Sequence, residues 1–330
     1  MRIFELKGTH YEIGFKMGEI FRRTNRGIIE SDDKGKSFAL RVKEEVEDII
    51  PELIKEIQGF TDGGNYKFED ILTFALTLGK NPGCTVLAIN GENTVNKKTI
   101  FARNYDGPEH FHKFDLYKTY PQGFYSHQGC TYEMIVGRED GINEKGLAIA
   151  VTGVFGKITS KPGVWDHIAV RAVLDRCKNV NEAVGLLEEI PHLYAKNFLI
   201  ADKNNKIVVV EAAQQNVEII YPEEGFGVIT NHFTSESMKQ LNDEKKSLHR
   251  TYERYNNILK WFEEKKKPID ILDVISILND SKKGVLSNLI DENANKTFLT
   301  VWSWIANLGE KKFNISTGTP IAGEYKEIRF

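Results

Sequence analysis

The sequence predicts an α+β fold in which antiparallel sheets are covered by helix layers. Short β-rich runs come in sets around tight turns, helical segments come in pairs between those sets, and the two do not alternate one for one as a doubly wound parallel sheet requires. With 330 residues and 41% hydrophobic side chains, the chain can bury roughly three-quarters of its open-chain surface without staples. No internal repeat, low-complexity stretch or linker divides it, so one compact unit is expected.

Residues 1–80 read as mostly helical. Val46, Ile49, Ile50, Leu53, Ile54 and Ile57 recur at helical spacing, and Pro51 kinks that helix or opens a new one. Phe68–Leu78 is a further helix, stopped by Gly79 and the loop Asn81-Pro82-Gly83. Thr85–Asn90 and Thr99–Tyr105 are β-rich runs around Gly91 and Asn96-Lys97-Lys98, hence a hairpin. From Tyr105 to Tyr132, Gly107-Pro108, Pro121-Gln122-Gly123 and Gln128-Gly129 interrupt any period, and the stretch reads as long loops. Tyr132–Arg138 and Leu147–Gly153 read as strands flanking Asp140-Gly141 and Glu144-Lys145-Gly146. Helices follow at Trp165–Cys177 and Asn181–Ile190, then β runs at Asn197–Ala201, Ile207–Ala213, Val217–Tyr221 and Gly227–Thr230. Lys246–Glu264 and Ile269–Leu278 are helical, and Phe298–Ala306 and Phe313–Ser316 close the chain as strands.

Charge narrows the function classes. Lys+Arg is 44 and Asp+Glu is 47, a formal −3 spread along the chain, which favours neither nucleic acid nor an anionic membrane as partner. No window reaches the length of an apolar spanning helix, and the charged N-terminus lacks a signal-peptide core, so a cytoplasmic location is expected. Three cysteines, Cys84, Cys130 and Cys177, are far apart and in no C-x-x-C pair, which supports neither a disulfide framework nor a zinc ribbon. Phosphate-cradling glycine motifs, H-E-x-x-H and G-x-S-x-G do not occur. His110 and His112 sit on one face of an extended run without a third ligand, so a metal is not expected and no cofactor is called for.

Cys84 stands out. It begins a strand directly after a Pro-Gly loop, and the hairpin brings Arg103-Asn104-Tyr105-Asp106 back beside it. An arginine and a carboxylate within reach of a thiol can lower its pKa and orient a base. A free cysteine is also commonly a small buried hydrophobe, and spacing alone leaves both readings standing.

Gly83-Cys84-Thr85, followed by a short strand, a turn and Arg103-Asn104-Tyr105-Asp106, resembles the cysteine N-terminal nucleophile (Ntn) hydrolases. The resemblance is to the isopenicillin N acyltransferase-like group, with choloylglycine hydrolases and penicillin V acylases as cousins. Gly8-Thr9-His10-Tyr11-Glu12-Ile13-Gly14 resembles that group's opening. Gly141-Ile142-Asn143-Glu144-Lys145-Gly146-Leu147 resembles the G-x-N-E-K-G-L turn of the choloylglycine branch. Thr230-Asn231-His232-Phe233, Ser247-Leu248-His249-Arg250 and Gly318-Thr319-Pro320 follow in the family's order.

The resemblance implies a four-layer αββα sandwich with two antiparallel sheets. It implies a precursor that cuts its own Gly83–Cys84 bond, with residues 1–83 as a helical prosegment latched over the site and residues 84–330 as the hydrolase domain. It further implies that Cys84 is the nucleophile, that Asp106 orients the freed α-amino group, that Arg103 favours the thiolate, and that Asn231 donates to the oxyanion. Tyr105, Phe114, Thr152 and Arg250 are assigned to substrate contact. Where choloylglycine hydrolases carry a second asparagine, this chain has Thr152-Gly153, which favours the acyltransferase-type branch. The activity expected is amidase or acyltransferase chemistry through a Cys84 thioester on a small N-acyl amide or acyl-thioester. An acyl-CoA-dependent N-acyltransferase and a silent, unprocessed binding protein are the alternatives. A homo-oligomer is compatible with the sequence.

From Tyr105 to Tyr132 there are eight aromatics in 28 residues: Tyr105, Phe111, Phe114, Tyr117, Tyr120, Phe124, Tyr125 and Tyr132. Aromatic loops leaving Asp106 are expected either to wall an acyl pocket beside Cys84 or to form a satellite core.

Overall fold

The computed structural model describes residues 1–24, 28, 32–77, 83–108, 114–132, 136–155, 161–214, 216–243, 250–283, 285, 288–291, 296–310, 312–316 and 325–330. The chain opens with strand β1 (Arg2–Gly8) and helices α1 (His10–Arg23), α2 (Asp33–Ile49), α3 (Pro51–Gly64) and α4 (Phe68–Leu76). Strands β2 (Gly83–Ile89), β3 (Ile100–Pro108), β4 (Phe114–Pro121), β5 (His127–Tyr132), β6 (Asp140–Asn143) and β7 (Leu147–Gly153) follow, then helices α5 (Asp166–Arg176) and α6 (Val180–Glu189). Next come β8 (Lys196–Asp202), β9 (Ile207–Ala213), β10 (Asn216–Ile220) and β11 (Phe226–Ile229). Helices α7 (Thr251–Glu264) and α8 (Ile271–Leu278) lead to β12 (Asn288–Asp291), β13 (Lys296–Asn307), β14 (Lys312–Ser316) and β15 (Tyr325–Arg329).

Local chemistry sets several of these boundaries. Thr9 and Glu12 form a reciprocal capping box at the start of α1, and Asp32 caps α2 through the Gly35 N–H. Pro51 occupies the first turn of α3, where its missing N–H costs nothing, and Asn65 ends that helix in the left-handed region at φ 56°. Gly14 and Gly18 of α1 press on the backbone of Glu56 and Phe60 in α3, an approach that a Cβ would block.

The strands form two sheets. One runs β1-β4-β5-β6-β7-β8-β9-β10, antiparallel throughout except for the parallel β1–β4 pair; the other runs β11-β2-β3-β13-β14-β15, with β12 alongside β13. Alternation along each strand splits the side chains between layers. Leu147, Ile149 and Val151 of β7 meet helices α1–α6, whereas Ala148 and Ala150 face the second sheet. In β2, Cys84, Val86 and Ala88 point into the inter-sheet core, and Leu87 and Ile89 point out toward α7 and α8. Three stacked cores therefore separate four layers, α, β, β and α.

The N-terminal segment is mostly helical, as expected, with one strand added: β1 pairs with β4, a contact more than a hundred residues away that local pattern does not reveal. Three expectations need correction. Helices α1–α4 cover the outer face of the eight-stranded sheet rather than the inter-sheet core that holds Cys84. Residues 78–82, which lead into Cys84, lie outside the described residues. The supposed loops between Tyr105 and Tyr132 contain β4 and β5; of the strand expected at Tyr132–Arg138, Tyr132 ends β5, residues 133–135 lie outside the described residues, residues 136–138 are not in a strand, and the next strand is β6 at Asp140–Asn143. Pro121 and Gly123 end β4 and turn the chain; they do not interrupt a strand. No helix among the described residues is long and apolar enough to cross a membrane.

Candidate active site

Strands β2 and β3 form the expected hairpin, with Cys84 opposite Tyr105, Gly83 opposite Asp106 and Val86 opposite Arg103. Arg103 shares the inner face with Cys84, and its side chain runs along the ladder to donate from Nη2 to Cys84 Sγ at 3.0 Å. Nη1 of the same guanidinium donates to Asp140 Oδ2 at 2.9 Å and to the Glu139 carbonyl at 2.7 Å. Trp302 Nε1 donates to the same Asp140 oxygen at 3.1 Å, which fixes the carboxylate that fixes the arginine.

Asp106 is one residue further on than Tyr105 and so belongs to the opposite face. Thr300 Oγ1 donates to its Oδ1 at 2.6 Å, and Arg254 Nη1 lies 4.0 Å from Oδ2, which makes no hydrogen bond. Burial raises the Asp106 carboxyl to about 6, against the pull of Arg254 and Thr300. Burial likewise pushes the Cys84 thiol up to about 11, more than Arg103 can offset and with Asp106 and Glu139 adding to the rise. The expectation of a lowered thiol pKa therefore fails in the continuous chain: desolvation outweighs one favourable charge.

Asn231 follows β11 and reaches the nucleophile's own nitrogen. Its Oδ1 accepts from the Cys84 N–H at 3.0 Å and from Arg254 Nη2 at 2.7 Å, while Nδ2 donates to the Gly153 carbonyl at 2.8 Å. The atom facing Cys84 is thus the acceptor, not the donor that an oxyanion contact needs.

Arg250 is displaced from the site. It lies just before α7 with φ 55°, its side chain 42% exposed and paired with Glu253. The arginine that enters is Arg254, one turn later. Its Nη1 donates to the Cys84 carbonyl at 2.5 Å and to Thr85 Oγ1 at 2.7 Å. Residues 244–249 lie outside the described residues, and so does Gly318-Thr319-Pro320. Reading the helix from Lys246 placed Arg250 within it, whereas α7 starts at Thr251 and turns Arg254 inward.

Tyr105 stacks on Trp302 with centroids 3.7 Å apart, Phe114 stacks on the same indole at 4.9 Å, and both are buried. Tyr117 faces the opposite core against Phe4, and Phe124 meets His10. The aromatic excess is thus spread over two cores and does not form one wall; Tyr105 and Phe114 are the rings that share Cys84's core. Phe111, His110 and His112 lie outside the described residues, and nothing is said of the Tyr132 side chain. Thr152 is buried and donates to the Thr230 carbonyl, tying β7 to the Asn231 segment.

Among the described residues, Glu139, Asp166 and His167 form a buried group whose donor atoms all lie within 4.8 Å of one another, the spacing of metal ligands. Lys196 Nζ already stands 3.5 Å from Asp166 Oδ1. Composition and motif gave no signal for this group, nor for Arg254, Asp140, Thr300 or Trp302. All reach the site through strand pairing or helix rotation.

Residues 91–322 match the family model described as acyl-coenzyme A:6-aminopenicillanic acid acyl-transferase. The matched span begins after Cys84. The chain is 22% identical over 221 residues to a β-alanyl-dopamine/carcinine hydrolase of Drosophila melanogaster, covering 56% of each protein. It is similar to the penicillin V acylase structure from Agrobacterium tumefaciens (TM-score 0.51, 18% identity, 75% of this chain and 86% of that one). It is also similar to a mutant conjugated bile acid hydrolase from Clostridium perfringens (TM-score 0.50, 18% identity, 75% of this chain and 92% of that one). The matched span covers more than half of the chain and the similarity to these structures extends over three-quarters of it: the chain has the Ntn-hydrolase fold and belongs to the acyl-coenzyme A:6-aminopenicillanic acid acyl-transferase family.

Proposed function

We propose that this protein is a self-processing cysteine amidase acting on small linear amides. The observation that carries the reading is the double hold on Cys84: Arg103 on its sulfur at 3.0 Å and Asn231 on its nitrogen at 3.0 Å. A thiol used only for packing needs neither. The name of the Drosophila relative, a hydrolase of β-alanyl-dopamine and carcinine, supports a small amide as substrate.

Maturation breaks the Gly83–Cys84 peptide bond. The thiol adds to the Gly83 carbonyl, the peptide nitrogen leaves as the Cys84 α-amine, and water then hydrolyses the resulting thioester to free the Gly83 carboxyl. Fragment 1–83 stays associated with 84–330, because β1 is a strand of the shared sheet and α1–α4 share its core. Cleavage replaces an amide nitrogen without basicity by an amine of pKa near 8, suited to accept a thiol proton at neutral pH. Asn231 Oδ1 and Asp106 orient that amine. Arg103 stabilises the thiolate as it forms.

In turnover the Cys84 thiolate attacks the amide carbonyl. The tetrahedral intermediate collapses as the C–N bond breaks, the leaving amine takes the proton held by the α-amino group, and a thioester remains on Cys84. Water attack on the thioester returns the acid and the free thiol. In turnover the Asn231 side-chain amide serves the oxyanion through Nδ2, a contact commonly worth about 3 kcal/mol.

The family description favours a second reading, acyl transfer from an acyl-coenzyme A thioester to an amine. A side-by-side assay of acyl-CoA with an acceptor amine against simple N-acyl amides separates the two. Intact-mass measurement tests the maturation step. Fragments 1–83 and 84–330, absent in Cys84→Ala, are expected; one uncut chain with an alkylation-inert Cys84 identifies a silent binding protein instead.

A further inference from the structure

The amidase reading leaves one group of buried charges without a task. Glu139, Asp166 and His167 are each 5% exposed, where Arg103 shows none of its surface. The group lies between the two halves of the site. On one side, Tyr105, the register partner of Cys84, points its hydroxyl at Glu139 Oε1 at 3.4 Å, and the Glu139 carbonyl accepts from Arg103. On the other, Asp166 reaches Lys196, which pairs across the ladder with Gly153, the residue whose carbonyl holds Asn231.

The polar atoms of this group are incompletely used. Asp166 Oδ1 and His167 Nδ1 are buried and make no hydrogen bond. His167 Nε2 stands 3.5 Å from Glu139 Oε1, too far for a good one. Buried polar atoms in native proteins are nearly always satisfied, and exceptions ask for a missing partner. Burial also raises the proton affinity of Glu139 despite His167 and Arg103, as expected of an under-compensated carboxylate.

Two carboxylates here face one lysine ammonium, since Arg103 is engaged by Asp140 and Cys84. The partner that completes the group is therefore a cation with hydrogens to give. A primary ammonium has three donors, matching one oxygen of Glu139, one of Asp166 and Nδ1 of His167, which makes no hydrogen bond. A divalent metal ion fits less well, because its double charge would sit beside the ammonium of Lys196.

We propose that Glu139, Asp166 and His167 form a subsite for a primary ammonium carried on the acyl group of the substrate. The acyl side follows from position: the group is buried one tyrosine away from Cys84, which holds the acyl carbon, whereas a leaving amine must depart to solvent. The substrate class is then amides of short aminoacyl groups. This rests on the amidase reading, and the experiment separates the two.

The processed wild-type protein is assayed with p-nitroanilides of glycine, β-alanine, 4-aminobutanoate, 5-aminopentanoate and 6-aminohexanoate, each beside its desamino counterpart. At least one aminoacyl anilide is expected to exceed its counterpart tenfold or more in kcat/KM. That ratio should fall to about one in both Asp166→Asn and Glu139→Gln, with thermal melting confirming that each is folded. If either variant does not fold, the other carries the test. Calorimetric titration of the wild type with n-pentylamine and 1-pentanol reads the subsite without turnover, so an inactive enzyme sinks only the amidase reading. The subsite is overturned if no aminoacyl preference exists in either assay or if the preference survives both substitutions. Stoichiometric binding of zinc alone, lost in Asp166→Asn and unaccompanied by an amine preference, overturns it in favour of a metal.

Discussion

Arg103 lies opposite Val86 in the β2–β3 ladder, yet its Nη2 bonds Cys84 Sγ two residues away at 3.0 Å. The diagonal works because both side chains point to the inner face and Asp140 pulls the guanidinium along the strand. Asp106, only three residues later, falls on the other face and approaches Cys84 from the side of α7. One strand thus places a guanidinium and a carboxyl on opposite faces of a sheet.

Replacing Arg103 by methionine removes the guanidinium bonded to the thiol. The thiol pKa should rise further, moving the pH dependence of iodoacetamide alkylation upward. The change also strands Asp140 without its arginine, at a cost of about 3–5 kcal/mol, which Arg103→Met/Asp140→Asn should largely recover. An alkylation profile identical to wild type removes Arg103 from the chemistry.

Asp106→Asn separates stability from activity. The Asp106 carboxyl is raised by burial to about 6, so the folded state holds its proton more tightly than the unfolded chain does. Its contribution is present at acid pH and is lost as pH rises from about 4 through about 6. Asp106→Asn should therefore melt higher than wild type at pH 7, with the gap closing below pH 4, while processing and turnover fall sharply. A variant that melts lower at pH 7 would falsify the assignment of a destabilised carboxylate.

Arg250 and Arg254 are one helical turn apart and should behave oppositely. Arg250→Ala removes an exposed pair with Glu253 and should change stability by no more than about 0.5 kcal/mol, with activity unaltered. Arg254→Ala strips the buried contacts to the Cys84 carbonyl, Thr85 and Asn231, and should cost about 3–5 kcal/mol and abolish processing. Chemical denaturation and intact-mass measurement on both variants check this.

The N-terminal segment is tied in by charge as well as by apolar surface. Arg171 of α5 forms a bidentate pair with Glu56 of α3 at 2.8 Å for each bond, fully buried, and also binds Asp175. Glu56→Gln should destabilise by about 3–5 kcal/mol, whereas an apolar replacement of both Glu56 and Arg171 should recover part of the loss. In processed protein, the same single substitution should let fragment 1–83 dissociate at a lower urea concentration than in wild type.

The sequence by itself determined what depends on neighbours in the chain. β-rich runs bounded by turns at Thr85–Asn90, Thr99–Tyr105 and Leu147–Gly153 predicted strands, and the hairpin between the first two predicted that Arg103 and Asp106 return to Cys84. Helical spacing from Val46 to Ile57 predicted helix there, with Pro51 either kinking it or opening a new one; the structure has a new helix, α3, begin at Pro51. What depends on partners far along the chain was decided only by tertiary structure. β1 is a strand because β4 pairs with it, and Phe114–Pro121 is a strand because it lies between β1 and β5. Arg254 is the inward arginine because it lies within α7, whereas Arg250 precedes the helix in the left-handed region and its side chain stays exposed. The Cys84 thiol is pushed up because complete burial costs a thiolate more than one arginine returns. A sequence can place a charge beside a sulfur; how much water remains between them is set by the layers that close over both.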